Sequence, residues 1–154
     1  MRHFATLYGE DPAYWGIVGL LHDLDYEEHP DQHCSFTPDI LRENGYDEEF
    51  IRAVLSHGYG LCTDVKPEKQ MEKVIYTVDE LTGLIFACAL MRPSKSVSDL
   101  EVSSVKKKFK SPGFAANVNR EVIARGAEMM GVPLDDVIRE TILAMRAIAD
   151  TIGV

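Results

Sequence analysis

His22 and Asp23 stand side by side in the stretch Leu20-Leu21-His22-Asp23-Leu24-Asp25-Tyr26-Glu27, straight after an apolar run. Such a pair can offer an imidazole nitrogen and a carboxylate oxygen to one metal ion, or bridge two. Taken alone it also describes an amphipathic helix running out into a polar turn. The rest of the chain decides between these readings. His33, His57 and Asp79 follow, each at or near the edge of an expected helix. Imidazoles and carboxylates are the ligands a divalent transition metal takes, and here they are spread over several elements that must converge.

Stepping along the chain, the elements that would carry these groups all read as helices. Met1 to Tyr8 places Phe4, Leu7 and Tyr8 on one side, with no polar cap in front, which is how the end of a longer helix looks. His3 lies there and reads as a solvated side chain. Asp11-Pro12 opens the next helix with a cap oxygen and a proline at the first turn. Tyr14, Trp15, Ile17, Val18, Leu20 and Leu21 cover nearly all its sides, so it is expected to be buried. His22 then falls one turn after Val18, and Asp23 beside it needs a cation or strong donors if it too is buried.

A polar loop from Glu28 to Ser35 holds His33. Thr37-Pro38 opens a helix that Gly45 closes. Asp47 caps the following one, with Tyr46 placed to staple onto Ile51. His57 comes at its last turn, where a histidine also suits the helix dipole. The longest helix is expected over about Glu68 to Met91, between Pro67 and Pro93, with Met71, Val74, Ile75, Val78, Leu81, Leu84, Ile85 and Cys88 at helical spacing. Asp79 lies on the margin of that stripe.

Ser94 to Gly113 is the one basic region, holding five of the eight lysines. It reads either as solvated surface or as an anion-binding rim. Two helices follow, at about Val118 to Met130 and from Pro133 onward. The expected fold is therefore all-α, a single compact helical domain of about seven helices over residues 1–154.

Composition narrows the function class. A formal net charge of −9 argues against wrapping DNA, since affinity there rests on neutralising phosphates. No apolar run reaches the roughly 18 to 20 residues of a membrane span, and no signal peptide opens the chain. Cys34, Cys62 and Cys88 are odd in number with no CxxC pair, and read as reduced thiols of a cytoplasmic protein.

The ordered set His22-Asp23, His33, His57 and Asp79, with Asp79-Glu80-Leu81-Thr82-Gly83 and Ser104-Val105-Lys106-Lys107-Lys108-Phe109-Lys110, resembles the HD superfamily of metal-dependent phosphohydrolases, closest to the bacterial HDIG type. The resemblance covers nearly the whole chain. It implies an HD-domain-like fold in which His22, Asp23 and Asp79 bind metal, with His33 and His57 completing a second position and Asp23 bridging. One or two divalent ions (Mn, Fe, Zn or Mg) are thereby implied.

Two departures stand out. The family's first histidine lies on the opening helix, where its place would precede Met1 and His3 does not match it, so the first turns of that helix are expected to be missing. Tyr26 also stands where some members carry lysine or glutamate. The implied activity is hydrolysis of a nucleotide or other small phosphate ester by a metal-activated water that Asp23 orients or deprotonates, with Lys107, Lys108 and Arg120 gripping phosphate. The alternative is an impaired module that binds metal or a phosphorylated ligand without turnover. A homo-oligomer is also admitted.

Overall fold

The computed structural model describes all 154 residues, and every regular element is helical. Residue contacts divide the chain into two compact units, residues 1–76 and 77–154.

The first unit begins with α1 (Arg2–Tyr8) and α2 (Pro12–Leu21). Gly9 reverses the chain between them at φ 71°, and the Asp11 carboxylate accepts from Ala13 N at 2.8 Å to start α2. Asp11-Pro12 thus works as the cap and first-turn proline that the sequence suggests. The expected burial of α2 is not found. Only Trp15 and Val18 are buried, while Leu20 is 79% exposed. Apolar residues around a whole helix permit burial on any side without enforcing it.

After a polar segment with one 3₁₀ turn, Pro30–Gln32, come α3 (Thr37–Glu43) and α4 (Glu48–Leu55). Thr37 does not cap α3; its N–H and that of Phe36 donate to the Asp25 carboxylate at 3.1 and 3.2 Å. Asp47 does cap α4, accepting from Phe50 N at 2.8 Å. Tyr46 stacks on Phe50, with ring centroids 4.3 Å apart, where Ile51 was the expected partner. A 3₁₀ turn, Ser56–Gly58, extends α4 and carries His57.

The longest helix, α5 (Gln70–Leu90), runs through the border between the units. Glu72 Oε2 accepts from Glu68 N and Lys69 N at 2.7 and 3.1 Å, which satisfies free donors at its start. That is why α5 begins after Lys69 and not at Glu68.

The second unit continues with α6 (Val102–Phe109), α7 (Arg120–Met130), α8 (Leu134–Arg146) and α9 (Ala149–Ile152). Nine α-helices result, the two beyond the expected seven being α6, inside the basic region, and the short α9. Val105 buries completely, so the lysine run belongs to a packed helix, with Lys106 Nζ donating to Asp135 of α8 at 2.6 Å. Val122, Ile123, Val137, Ile138 and Ile142 are buried in the same unit. No helix is long and apolar enough to cross a membrane.

Candidate metal centre

Three histidines and one aspartate of the first unit meet. Each ring is aimed by a partner on its Nδ1. His22 is the residue that ends α2, and its Nδ1 lies 2.7 Å from the carbonyl of Gly19. His57 repeats the device at the end of α4, with Nδ1 2.7 Å from the carbonyl of Val54. Both carbonyls lie three residues back, in the last turn of a helix, where acceptors lack partners further along. His33 Nδ1 instead meets Asp25 Oδ1 at 2.8 Å. A carbonyl or an ionised carboxylate can only accept, so in all three rings Nδ1 carries the proton. In the neutral form each Nε2 is then a bare lone pair.

Those lone pairs converge on Asp23. Its carboxylate oxygens lie 3.3 Å from His22 Nε2, 3.2 Å from His33 Nε2 and 3.5 Å from His57 Nε2. His33 and His57 bring their Nε2 atoms within 3.0 Å of each other. Two lone pairs at that separation repel unless a cation meets both, either a proton on one ring or a metal ion. Ligands about 2.1 Å from one ion stand about 3.0 Å apart at right angles and about 3.4 Å apart at tetrahedral angles. All four separations fall close to that range, so the donor set fits a divalent ion in both chemistry and spacing.

Exposure is graded across the site. The His57 side chain is 4% exposed, His33 15%, His22 22% and Asp23 50%. A buried imidazole floor with a carboxylate open to solvent leaves one side approachable. When the rings are protonated on both nitrogens, a hydrogen bond from His57 and then the charges of the three rings hold the Asp23 carboxyl below the usual carboxylate range, against the opposing effect of burial.

Asp25 is the group that sequence reasoning passed over. Its side chain is fully buried. Its Oδ1 accepts from His33 Nδ1 and from Cys34 N at 3.1 Å, and its Oδ2 takes Phe36 N and Thr37 N. Burial pushes its carboxyl upward, but the hydrogen bonds from Cys34, His33, Thr37 and Phe36 outweigh this and the net direction is down. One carboxylate thus starts α3 and orients a ring of the centre. The only sequence signal was its period-two relation to Asp23.

Two cysteines were likewise missed. Cys34 is buried beside His33, and its Sγ is 4.0 Å from His57 Nε2 and 2.7 Å from Cys62 Sγ. Ligand atoms of His33, Cys34, His57 and Cys62 all lie within 4.8 Å of one another, so this group could also hold a metal ion. The sequence reads the cysteines as reduced thiols, and no disulfide links them. The adjacency of His33 and Cys34 was the available hint.

The remaining candidates, His3 apart, belong to the second unit. Asp79 is half-buried on α5, its carbonyl accepting from Thr82 Oγ1 at 2.8 Å. Lys107 is exposed on α6, and Lys108 places Nζ 4.6 Å above the Phe114 ring. The Arg120 guanidinium donates to the carbonyls of Ala115 (2.5 Å), Val118 (2.7 Å) and Phe114, so its fork is occupied by the loop before α7. His3 is half-buried with its ring edge-on to Phe4 at 5.8 Å.

No family model, curated protein or solved structure matches this chain.

Proposed function

We propose that the protein is a metal-dependent phosphohydrolase of the HD type, acting on a nucleotide or another small phosphate ester. The single observation carrying this reading is the convergence of three Nε2 lone pairs, each aimed by a protonated Nδ1, on the Asp23 carboxylate. Oriented neutral imidazoles with fixed tautomers are how proteins prepare ligands before an ion arrives.

In this reading His22, Asp23, His33 and His57 hold the ion. Bound there, a divalent ion would lower the pKa of water from 15.7 toward about 7 and offset charge building on phosphoryl oxygens. The chain's own contribution is positional. The three rings fix one coordination side from within the fold, and the half-exposed Asp23 orients a water proton on the open side. Asp79 enters through the resemblance, as do Lys107 and Lys108 as phosphate contacts. Arg120 would first have to release its carbonyls to grip phosphate, which favours the lysines for that task.

The test is to load the purified chain with Mn²⁺ or Fe²⁺ and assay phosphomonoesters and cyclic dinucleotides. Metal-dependent turnover that a chelator abolishes is expected, with His57→Ala losing at least about 100-fold in metal affinity and activity together. Metal uptake without turnover on any of these esters would leave the non-catalytic binding module. Absence of uptake would reduce the cluster to a structural feature.

A further inference from the structure

We propose that His33, Cys34, His57 and Cys62 form a second, sulfur-containing metal site, selective for a soft or borderline ion such as Zn²⁺, which borrows two imidazoles from the first set. The two sets cannot be filled at once, because His33 Nε2 and His57 Nε2 belong to both. That last clause rests on the function proposed above; the sulfur site itself does not.

The fold builds this position from both sides. Cys34 is buried, its N–H bound to Asp25 Oδ1, and it sits at φ 69° in the left-handed region. A residue with a Cβ is costly there, and such outliers persist where the surroundings demand one side-chain direction. Cys62 is set by a tight loop in which the Gly58 carbonyl accepts from Leu61 N and Cys62 N at 2.9 Å and from Thr63 N at 3.1 Å. Gly58 leaves room for both sulfurs, since a Cβ there would push Cys62 Sγ aside and press on Cys34 Sγ at 3.3 Å. Backbone, strain and a glycine therefore direct two sulfurs to the place where two Nε2 atoms already face each other.

Donor chemistry then selects the ion. Two thiolates with two neutral imidazoles make a tetrahedral S₂N₂ set, which Zn²⁺ takes and Mg²⁺ or Mn²⁺ does not favour. With bonds of about 2.3 Å to sulfur and about 2.05 Å to nitrogen, tetrahedral angles put the nitrogens about 3.3 Å apart and sulfur to nitrogen about 3.5 Å. The structure has 3.0 Å and, for Cys34 with His57, 4.0 Å. Sγ to Sγ must open from 2.7 Å to about 3.8 Å, and separations of up to 4.8 Å within the group must close toward about 3.5 Å. Cys62 is exposed, so it has the freedom to move. Four protein ligands leave no open position, and a filled S₂N₂ site is a closed, non-catalytic state that withholds both rings from the His22–Asp23 set.

Co²⁺ titration of the full chain under anaerobic, reducing conditions tests this. The adduct is expected to show sulfur-to-cobalt charge-transfer absorption, lost on adding Zn²⁺. Cys62→Ser should lower that band by about half, one thiolate of two remaining, and Cys34→Ser/Cys62→Ser should abolish it. His22→Ala should keep it. Circular dichroism checks that each variant is folded, and Cys62→Ser, at an exposed position, keeps the test available should Cys34→Ser unfold the chain. A wild-type adduct without the band, or a band unchanged in Cys62→Ser, overturns the sulfur site. A band present in a protein inert toward phosphate esters with Mn²⁺ leaves the sulfur site standing and removes the hydrolase reading. If both stand, one equivalent of Zn²⁺ inhibits the wild type at least about 10-fold more than the double cysteine variant.

Discussion

At the scale of single residues, the most informative group is Asp25, which binds nothing in the proposed reaction yet holds several things that do. Removing its carboxylate strands the Nδ1–H of His33 and three backbone N–H groups. Asp25→Ala is expected to cost about 2–3 kcal/mol in denaturant unfolding, combining a lost helix cap with lost bonds to a charged acceptor. Asp25→Asn nearly keeps the shape but replaces one accepting carboxylate oxygen by an amide NH₂, which only donates, so one pair of donors loses its acceptor. It should fold while binding Mn²⁺ or Zn²⁺ about 10- to 100-fold more weakly, measured by calorimetry, because a ligand's orienting partner is changed and the ligand itself is kept. An unchanged affinity would mean that His33 is aimed by something else.

At the scale of elements, the second unit shows how closely two helices are set. A Cβ at Gly126 of α7 would meet the Thr77 side chain of α5, with Cβ to Cβ at 2.8 Å, and the Thr77 Cα at 3.1 Å. The obstacle includes backbone, so the helices would have to separate. Gly126→Ala should therefore destabilise by about 1–3 kcal/mol despite alanine's better helix propensity, read from thermal or urea melts. The turn after α5 supplies a pH-dependent prediction. Asp99 is held down to about 2 by Arg92, with Ser94 adding a second hydrogen bond. Its folded pKa lies below the ordinary 3.8, so its contribution is fully present above about pH 4 and lost as pH falls toward 2. Both partners are exposed, so the effect is small. Asp99→Asn should lower the urea midpoint slightly at pH 7, and the gap to wild type should close between pH 4 and 2.

At the scale of the whole molecule, the candidate ligands gathered by the first unit span Leu21's neighbour His22 to Cys62, more than half of residues 1–76. An ion in the first set would tie α2, the loop before α3 and the end of α4 together, whereas Zn²⁺ in the sulfur set ties the loop before α3 to the end of α4 and the loop behind it. Zn²⁺ at about 100 times its Kd should then stabilise the fold by about 2.7 kcal/mol, raising Tm by about 5–10 °C for a chain of this size. Hydrogen exchange should show the added protection concentrated between residues 33 and 63. A uniform rise across residues 1–154 would indicate non-specific binding. The acidic balance of the chain, −9 overall, provides many weak sites for such binding, so the localisation is the deciding reading.

The sequence by itself determined the helical class, most helix boundaries and the identities of four convergent groups. Those follow from local physics: 3.6-residue periodicity, Asp11 and Asp47 as caps, Gly45 and Gly131 as left-handed stops, and histidines placed at helix ends where carbonyls are free to aim them. Tertiary structure alone decided that Asp25, and not Thr37, starts α3, that Leu20 faces solvent, and that Arg120 spends its fork on the chain. It also decided that two cysteines 28 residues apart would share the same corner as His33 and His57. Each of these depends on which loop carbonyl, carboxylate or sulfur arrives from a distant segment. Residue spacing along a helix carries no record of that arrival.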